Sequence, residues 1–346
     1  MDKLVYFYPQ GHVRHYETGH PERPERVEAI KTALEENDYW AQYPKLPAQE
    51  IPEKILTSIH TREYLRVLEE ACQRGAHLDA DTYTTPASWN LALHAAGGAA
   101  AVANSVWLRE VERGFALTRP PGHHATAERA MGFCLLNNVA LAAEYLVQEL
   151  GANRLAIVDL DLHHGNGTQD IFYSRGDVLY ISTHQYPHYP GSGWIDETGK
   201  GAGQMANANL PLPPYSGDAA FKKGMSEFIL PILDRFQPEM LLVSYGFDPH
   251  FDDPLGSLQL TSQGYGELII QLTDWADQNC NGRISLFLEG GYNLRAAQAC
   301  SLAVVAALLG DKFPERYDQN VTQGLEGNSE VFNSILQQDR ILWELE

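Results

Sequence analysis

Short runs of consecutive apolar residues alternate along the chain with longer stretches in which apolar positions recur every three or four residues. The short runs predict strands at 4–8, 114–117, 155–160, 178–183, 240–244 and 284–288. They are almost wholly apolar, which is the pattern of strands buried on both faces. The longer stretches predict helices at 25–36, 62–74, 86–113, 138–150, 218–236, 262–278 and 294–309. Within the Ala-rich 86–113 stretch, Gly97-Gly98 marks a soft point or a site of close packing. This alternation predicts an α/β fold whose central, mostly parallel sheet carries helices on both faces. No repeat, linker or shift of composition interrupts it, so residues 1–346 read as one domain with its core at about 10–310. A polar tail, 311–346, ends in Ile341-Leu342-Trp343, which is expected to dock on the body.

Composition narrows the picture without naming a function. Of 346 residues, 44% are hydrophobic and 20% charged, which excludes a disordered or fibrous chain. Lys and Arg number 25 against 45 Asp and Glu, a formal charge of −20. A protein gripping nucleic acid by its phosphates needs the opposite balance, so no nucleic-acid partner is expected. A cationic partner is compatible with the charge. Cys72, Cys134, Cys280 and Cys300 are widely spaced, without a Cys-x-x-Cys pair, and read as buried thiols of a reducing compartment. There is no signal-peptide core at the N-terminus and no run of 18 apolar residues. The expectation is a soluble cytoplasmic protein with no membrane partner.

In parallel sheets, ligands sit beyond the carboxyl ends of the strands. Four loops there carry chemistry. After the 155–160 run comes Asp159-Leu-Asp161-Leu-His163-His164-Gly-Asn166-Gly167. If the chain stays extended, residues 159, 161 and 163 point one way at intervals of about 6.6–7 Å. Buried carboxylates brought together like this call for a cation, so a metal site is expected. A second loop, Arg119-Pro-Pro-Gly122-His123-His124, offers adjacent histidines that face different neighbours and suit divided tasks. Asp248, directly after the 240–244 strand, can close a metal site as a further ligand. It also fits ordinary turn chemistry in Gly-Phe-Asp-Pro. In Glu289-Gly290-Gly291-Tyr292-Asn293, paired glycines can let the phenol reach a developing oxyanion, although packing alone would also explain a tyrosine there.

Together with His20-Pro-Glu-Arg-Pro-Glu-Arg26 and Gly132-Phe133-Cys134…Asn137-Asn138, these motifs resemble the zinc-dependent histone deacetylase superfamily. That superfamily includes the acetylpolyamine amidohydrolases and shares the arginase-like α/β fold. The resemblance covers residues 10–310 and keeps the family's motif order. It implies a zinc-dependent amidohydrolase that removes acetyl or other short acyl groups from acyl-lysine in proteins or peptides. The alternative is a deacetylase of acetylated polyamines or other small acylated amines.

Carried onto this sequence, the resemblance makes Asp161, His163 and Asp248 the zinc ligands. His123 and His124 become the catalytic pair, Asp159 the group orienting His123, and Tyr292 the partner of the substrate carbonyl. Asp159 and Ser182, with the carbonyls of Asp161 and His163, would hold a structural potassium ion, and Phe172, Arg175 and Val178 a second. Gly132, Phe133, Tyr189 and Leu255 would bind substrate, Phe133 and Tyr189 as tunnel walls.

The departures are informative. Asn166 stands behind the second histidine where class I members carry Asp, and looks like class II. Tyr189 replaces a Phe, and Thr84 replaces a rim Asp. Leu255 resembles lysine deacetylases rather than the Glu of polyamine-selective relatives. No long insertion of the kind that drives dimerisation in the acetylpolyamine enzymes is present.

Overall fold

A computed structural model describes residues 1–321 and 329–345. Its eight strands are β1 (Asp2–Phe7), β2 (Lys45–Leu46), β3 (Val111–Ala116), β4 (Leu155–Asp159), β5 (Val178–Gln185), β6 (Asn207–Leu212), β7 (Met240–Tyr245) and β8 (Ile284–Leu288). They form one sheet in the order β2-β1-β3-β8-β7-β4-β5-β6. Every neighbouring pair is parallel. The fold is therefore the α/β architecture expected from the alternation, with helices on both faces.

β1 shows how the sequence divides between the faces. Alternate side chains of a strand point to opposite sides. Leu4 and Tyr6 join a core with Val27, Ile30 and Leu34 of helix Glu25–Glu36, and with Leu268, Leu272 and Val304 of helices Ser262–Asn279 and Leu294–Leu309. Val5 and Phe7 join the other core, beneath helices Ser88–Trp107 and Asn138–Leu150. Gly97 and Gly98 prove to be close-packing positions. A Cβ at Gly98 would lie 2.3 Å from the Phe7 ring, and one at Gly97 would lie 2.1 Å from the Gln49 carbonyl oxygen.

Several boundaries differ from the sequence pattern. The helix expected over 86–113 ends at Trp107, and β3 begins inside that range. Arg109, at φ 61°, turns the chain, and the alternating Val111-Glu112-Arg113 hides the start of the strand behind charge. β6 was not expected because Asn207, Asn209 and Pro211 interrupt its apolar run. At the sheet edge, a proline without an N–H is tolerated. The 218–236 helix is divided by a π-helical turn, Met225–Ile229. Short helices Glu53–Ile59 and Asn166–Phe172 were not expected either.

In the tail, helix Ser329–Leu342 buries Phe332 and Leu336 against the body, and Trp343 is buried just beyond it. Ile341 and Leu342 are exposed, so of that apolar triplet the tryptophan does the docking. All four cysteines are buried and unpaired. No described helix is long and apolar enough to cross a membrane.

Candidate active site

The sheet order explains why four distant loops meet. β3, β8, β7 and β4 lie side by side, each about 4.8 Å from the next. The loops that follow them contain, respectively, His123-His124, Tyr292, Asp248 and the run from Asp161 to His164.

The last of these is not extended throughout. β4 stops at Asp159, and the chain then turns on its own carboxylates. Asp159 Oδ1 accepts the Asp161 N–H at 3.2 Å, and Asp161 Oδ1 accepts the His163 N–H at 2.9 Å. Residues 161 and 163 are thus aimed by side-chain-to-backbone bonds rather than by strand pleating.

Asp161, His163 and Asp248 each offer a donor atom, and the three atoms lie within 4.8 Å of one another. His163 Nδ1 is 3.2 Å from both Asp161 Oδ1 and Asp248 Oδ2. Gly290 N–H binds Asp161 Oδ2 at 2.8 Å, and Leu162 N–H binds Asp248 Oδ1 at 3.1 Å. Asp248 Oδ2 is buried without a hydrogen-bond partner. Burial first, and then the Asp161 charge beside it, push the Asp248 carboxyl up to about 7. The charge of a cation held by the group would offset both effects, and two carboxylates with one imidazole suit a divalent ion such as zinc. Glycine keeps the walls clear. A Cβ at Gly246 would stand 1.9 Å from Asp161 Oδ2, and one at Gly290 would stand 2.2 Å from Asp248 Oδ2.

A second cluster, His123, Cys134 and Glu289, is also tight enough for an ion. Its donors are already engaged. Glu289 accepts Gly122 N–H at 2.7 Å, His123 N–H at 3.1 Å and the Ser244 hydroxyl at 3.0 Å, while His123 Nδ1 faces Asp159.

The two histidines sit 4.0 Å apart, ring to ring, in opposite electrostatic settings. His123 Nδ1 lies 3.1 Å from Asp159 Oδ2, which also takes the Tyr180 hydroxyl at 2.9 Å. Burial would lower the His123 pKa, but the Asp161 and Asp159 carboxylates hold it at about 10. Once a cation engages Asp161, Asp159 remains to favour the proton. His124 Nδ1 lies 2.8 Å from Asn166 Oδ1, an uncharged acceptor. Burial and the neighbouring His123 and His163 hold His124 well below its ordinary range. Because the Asn oxygen accepts, Nδ1 carries the hydrogen and Nε2 keeps its lone pair.

Around this pair, His124 meets Tyr189 edge-on at 5.2 Å, and Phe133 meets Tyr292 edge-on at 5.6 Å. Gly132, at φ 55°, supports the Phe133 wall, and a Cβ there would strike His124 at 2.4 Å. Tyr189 is 39% exposed, at the solvent end. Leu255 is half-buried, its N–H held by Asp253 Oδ1 at 3.0 Å. Asp159 and Ser182 are register partners in β4 and β5, with the Ser182 hydroxyl 2.9 Å from His184 Nδ1. Phe172, Arg175 and Val178 lie apart from the histidine pair. Arg175 N–H binds the Phe172 carbonyl at 2.9 Å, and its side chain pairs with Glu144 and Asp177.

Three carboxylates, two of them quoted in the motifs, turn out to do positioning work for which the sequence suggested no role. Asp253 Oδ2 accepts the N–H groups of Tyr292 and Asn293, at 2.7 and 3.0 Å, while Asn293 caps helix Leu294–Leu309. Glu289 clamps the histidine loop, as above. Glu22, fully buried, binds Arg119 Nε at 2.7 Å and Arg26 at 3.1 Å, and Arg26 donates onward to the Gly291 and Glu289 carbonyls. For Glu289, a charge directly after an apolar strand was the available signal; Glu22 and Asp253 lie in loops and gave none.

That triad carries a stability prediction. Burial alone would raise the Glu22 pKa, but Arg119 and Arg26 bring it down to about 2 from an ordinary 4.5. Its stabilisation is therefore complete above pH 4.5 and lost as pH falls through about 2. Glu22→Gln strands two buried guanidiniums and is expected to lower unfolding free energy by about 3–5 kcal/mol. Urea melts at pH 7 check it, and an unchanged midpoint would refute it.

Comparison with known proteins bears on the family of the chain. A histone deacetylase domain model matches residues 20–308. A probable deacetylase of Archaeoglobus fulgidus is 41% identical, over 84% of this chain and 82% of that protein. A histone deacetylase-like amidohydrolase of Pseudomonas aeruginosa is 36% identical, over 84% and 77%. Among solved structures, that of the HDA15 HD domain superposes with a TM-score of 0.88 at 34% identity, covering 99% of this chain and 97% of the other. With fold and sequence both shared at this level, the chain belongs to the histone deacetylase family.

Proposed function

We propose that this chain is a zinc-dependent amidohydrolase that removes acetyl or other short acyl groups from the side-chain amine of acyl-lysine in proteins or peptides. One observation carries the reading: Asp161, His163 and Asp248 converge within 4.8 Å, beside a pair of histidines in opposite charge settings. Zinc held there would act as a Lewis acid on the acyl carbonyl and lower the pKa of a water molecule. His124, neutral with Nε2 free, takes a proton from the attacking water and returns it to the departing amine. His123, kept protonated by Asp159, supplies fixed positive charge. Asn166 holds the His124 tautomer without adding a charge that would raise its pKa.

Burial keeps the Tyr292 phenol protonated, well above its ordinary range, so it donates to negative charge growing on the carbonyl. Gly132, Phe133, Tyr189 and Leu255 border the path of the acyl-lysine stem. Asp159, Ser182 and the carbonyls of Asp161 and His163 would hold one potassium ion, and Phe172, Arg175 and Val178 a second. In this reading the chain works as one domain, tail included. It belongs in the cytoplasm, where Cys72, Cys134, Cys280 and Cys300 stay reduced.

The decisive experiment compares kcat/KM on an acetyl-lysine peptide and on an acetylated polyamine, with zinc chelation as control. Preference for the polyamine would overturn the substrate half of the proposal, and activity surviving chelation would overturn the metal half. Tyr292→Phe is expected to retain zinc and substrate affinity while turnover falls by about 10²–10³-fold. Wild-type turnover would remove Tyr292 from the chemistry.

A further inference from the structure

We propose that residues 316–318, beyond the family-matched region, form a clasp that positions the Asp248 loop and Tyr292, with Asp318 as its key residue.

The clasp is built from buried, directed contacts. Asp318 Oδ2 lies 3.2 Å from His250 Nε2, and both side chains are wholly buried. His250 Nδ1 accepts the Asp252 N–H at 3.2 Å, so the ring carries its hydrogen on Nε2 and donates it to Asp318. Asp318 also takes both the N–H and the hydroxyl of Ser262, at 2.7 and 2.5 Å, anchoring itself to the start of helix Ser262–Asn279. Arg316 Nε donates to the same hydroxyl at 2.7 Å. Between them, Tyr317 donates to Asp252 Oδ2 at 2.9 Å, and Arg295 lies 4.0 Å over its ring.

From His250 the connection runs to the site in two short steps. The His250 carbonyl accepts the Asp253 N–H at 2.9 Å, and Asp253 Oδ2 holds the N–H groups of Tyr292 and Asn293. Asp248 lies two residues before His250 in the same turn. One imidazole, pinned from behind by the tail, thus fixes the turn that carries a ligand and the carboxylate that seats the phenol. Groups that orient metal ligands from behind in this way typically change metal affinity or activity 10–100-fold when removed.

The inference rests on the proposed roles of Asp248 and Tyr292, but its test separates the two. Full-length Asp318→Ala and Asp318→Asn are compared with wild type and with Asn333→Ala, a change on the tail helix at a residue that bonds Lys223 rather than the clasp. Three quantities are measured: backbone amide exchange at 247–253 and 290–293, zinc affinity by chelator competition, and kcat and KM on an acetyl-lysine peptide. Asp318→Ala is expected to speed exchange in both segments, weaken zinc by about tenfold, and lower kcat with KM little changed. Asp318→Asn, whose amide oxygen can replace Oδ2, is expected to recover part of each and serves alone if the alanine variant does not fold. Asn333→Ala should match wild type. Wild-type exchange and zinc affinity in the Asp318 variants, with only a lowered Tm, would overturn the clasp. A wild-type chain that binds no zinc would instead overturn the site reading, and amide exchange would still decide the clasp.

Discussion

Alanine at position 124 is expected to lower turnover by about 10²–10⁴-fold while zinc and substrate still bind. His124 is the neutral member of the pair, its Nε2 keeps the free lone pair, and its ring lies 5.7 Å from that of His163. His123 cannot substitute for it. Its Nδ1 is committed to Asp159, and the carboxylates around it keep the ring protonated. The loss should therefore fall on kcat, with zinc content unchanged by elemental analysis. Turnover within about tenfold of wild type would move the base role elsewhere and leave His124 as packing against Tyr189.

The second large effect is at Asp248. Asp248→Asn removes a charge from the three-donor group while keeping an oxygen for the Leu162 N–H. Zinc affinity is expected to drop by at least about a hundredfold, and turnover with it, as judged by chelator competition. The metal-free protein should respond in the opposite direction. Without a cation, the folded-state Asp248 pKa stands at about 7, above the ordinary 3.8, so stability declines as pH rises between those values. Asparagine does not ionise, and chelated Asp248→Asn should be at least as stable as chelated wild type at pH 7. Normal zinc affinity would defeat the ligand assignment. A strongly destabilised metal-free variant would show that the carboxylate acts structurally, through His163.

Much of this arrangement was readable because strand burial and metal ligation both leave strong local marks. β4, β7 and β8 are buried throughout and mostly apolar, so their ends, and the polar residues there, were visible at once. Other elements were hidden for specific reasons. β6 owes its place to pairing along β5, not to apolar character, and its asparagines bind Gln169. The run from Asp159 to His163 looked like strand geometry, yet its convergence comes from carboxylates gripping their own backbone. Glu22, Arg119, Arg26 and Glu289 act by contacts up to 265 residues apart, which no local pattern encodes. Asp318 is the extreme case, one acid in a polar tail whose meaning depends on where His250 and Ser262 come to rest.

The place of β8 has a consequence for how the protein is made. The last of the described strands to leave the ribosome, β8, is inserted between β3 and β7, in the middle of the sheet. Until residue 288 emerges, the nascent chain can hold two partial sheets, β2-β1-β3 and β7-β4-β5-β6, whose facing edges are open. Such edges invite pairing with other chains, and closing them joins residues far apart in sequence, which is slow. Arg26 and Asp248 wait for their final neighbours over the same interval. The histidine pair after β3 and the carboxylate–imidazole group after β4 and β7 therefore come together only when β8 closes the sheet.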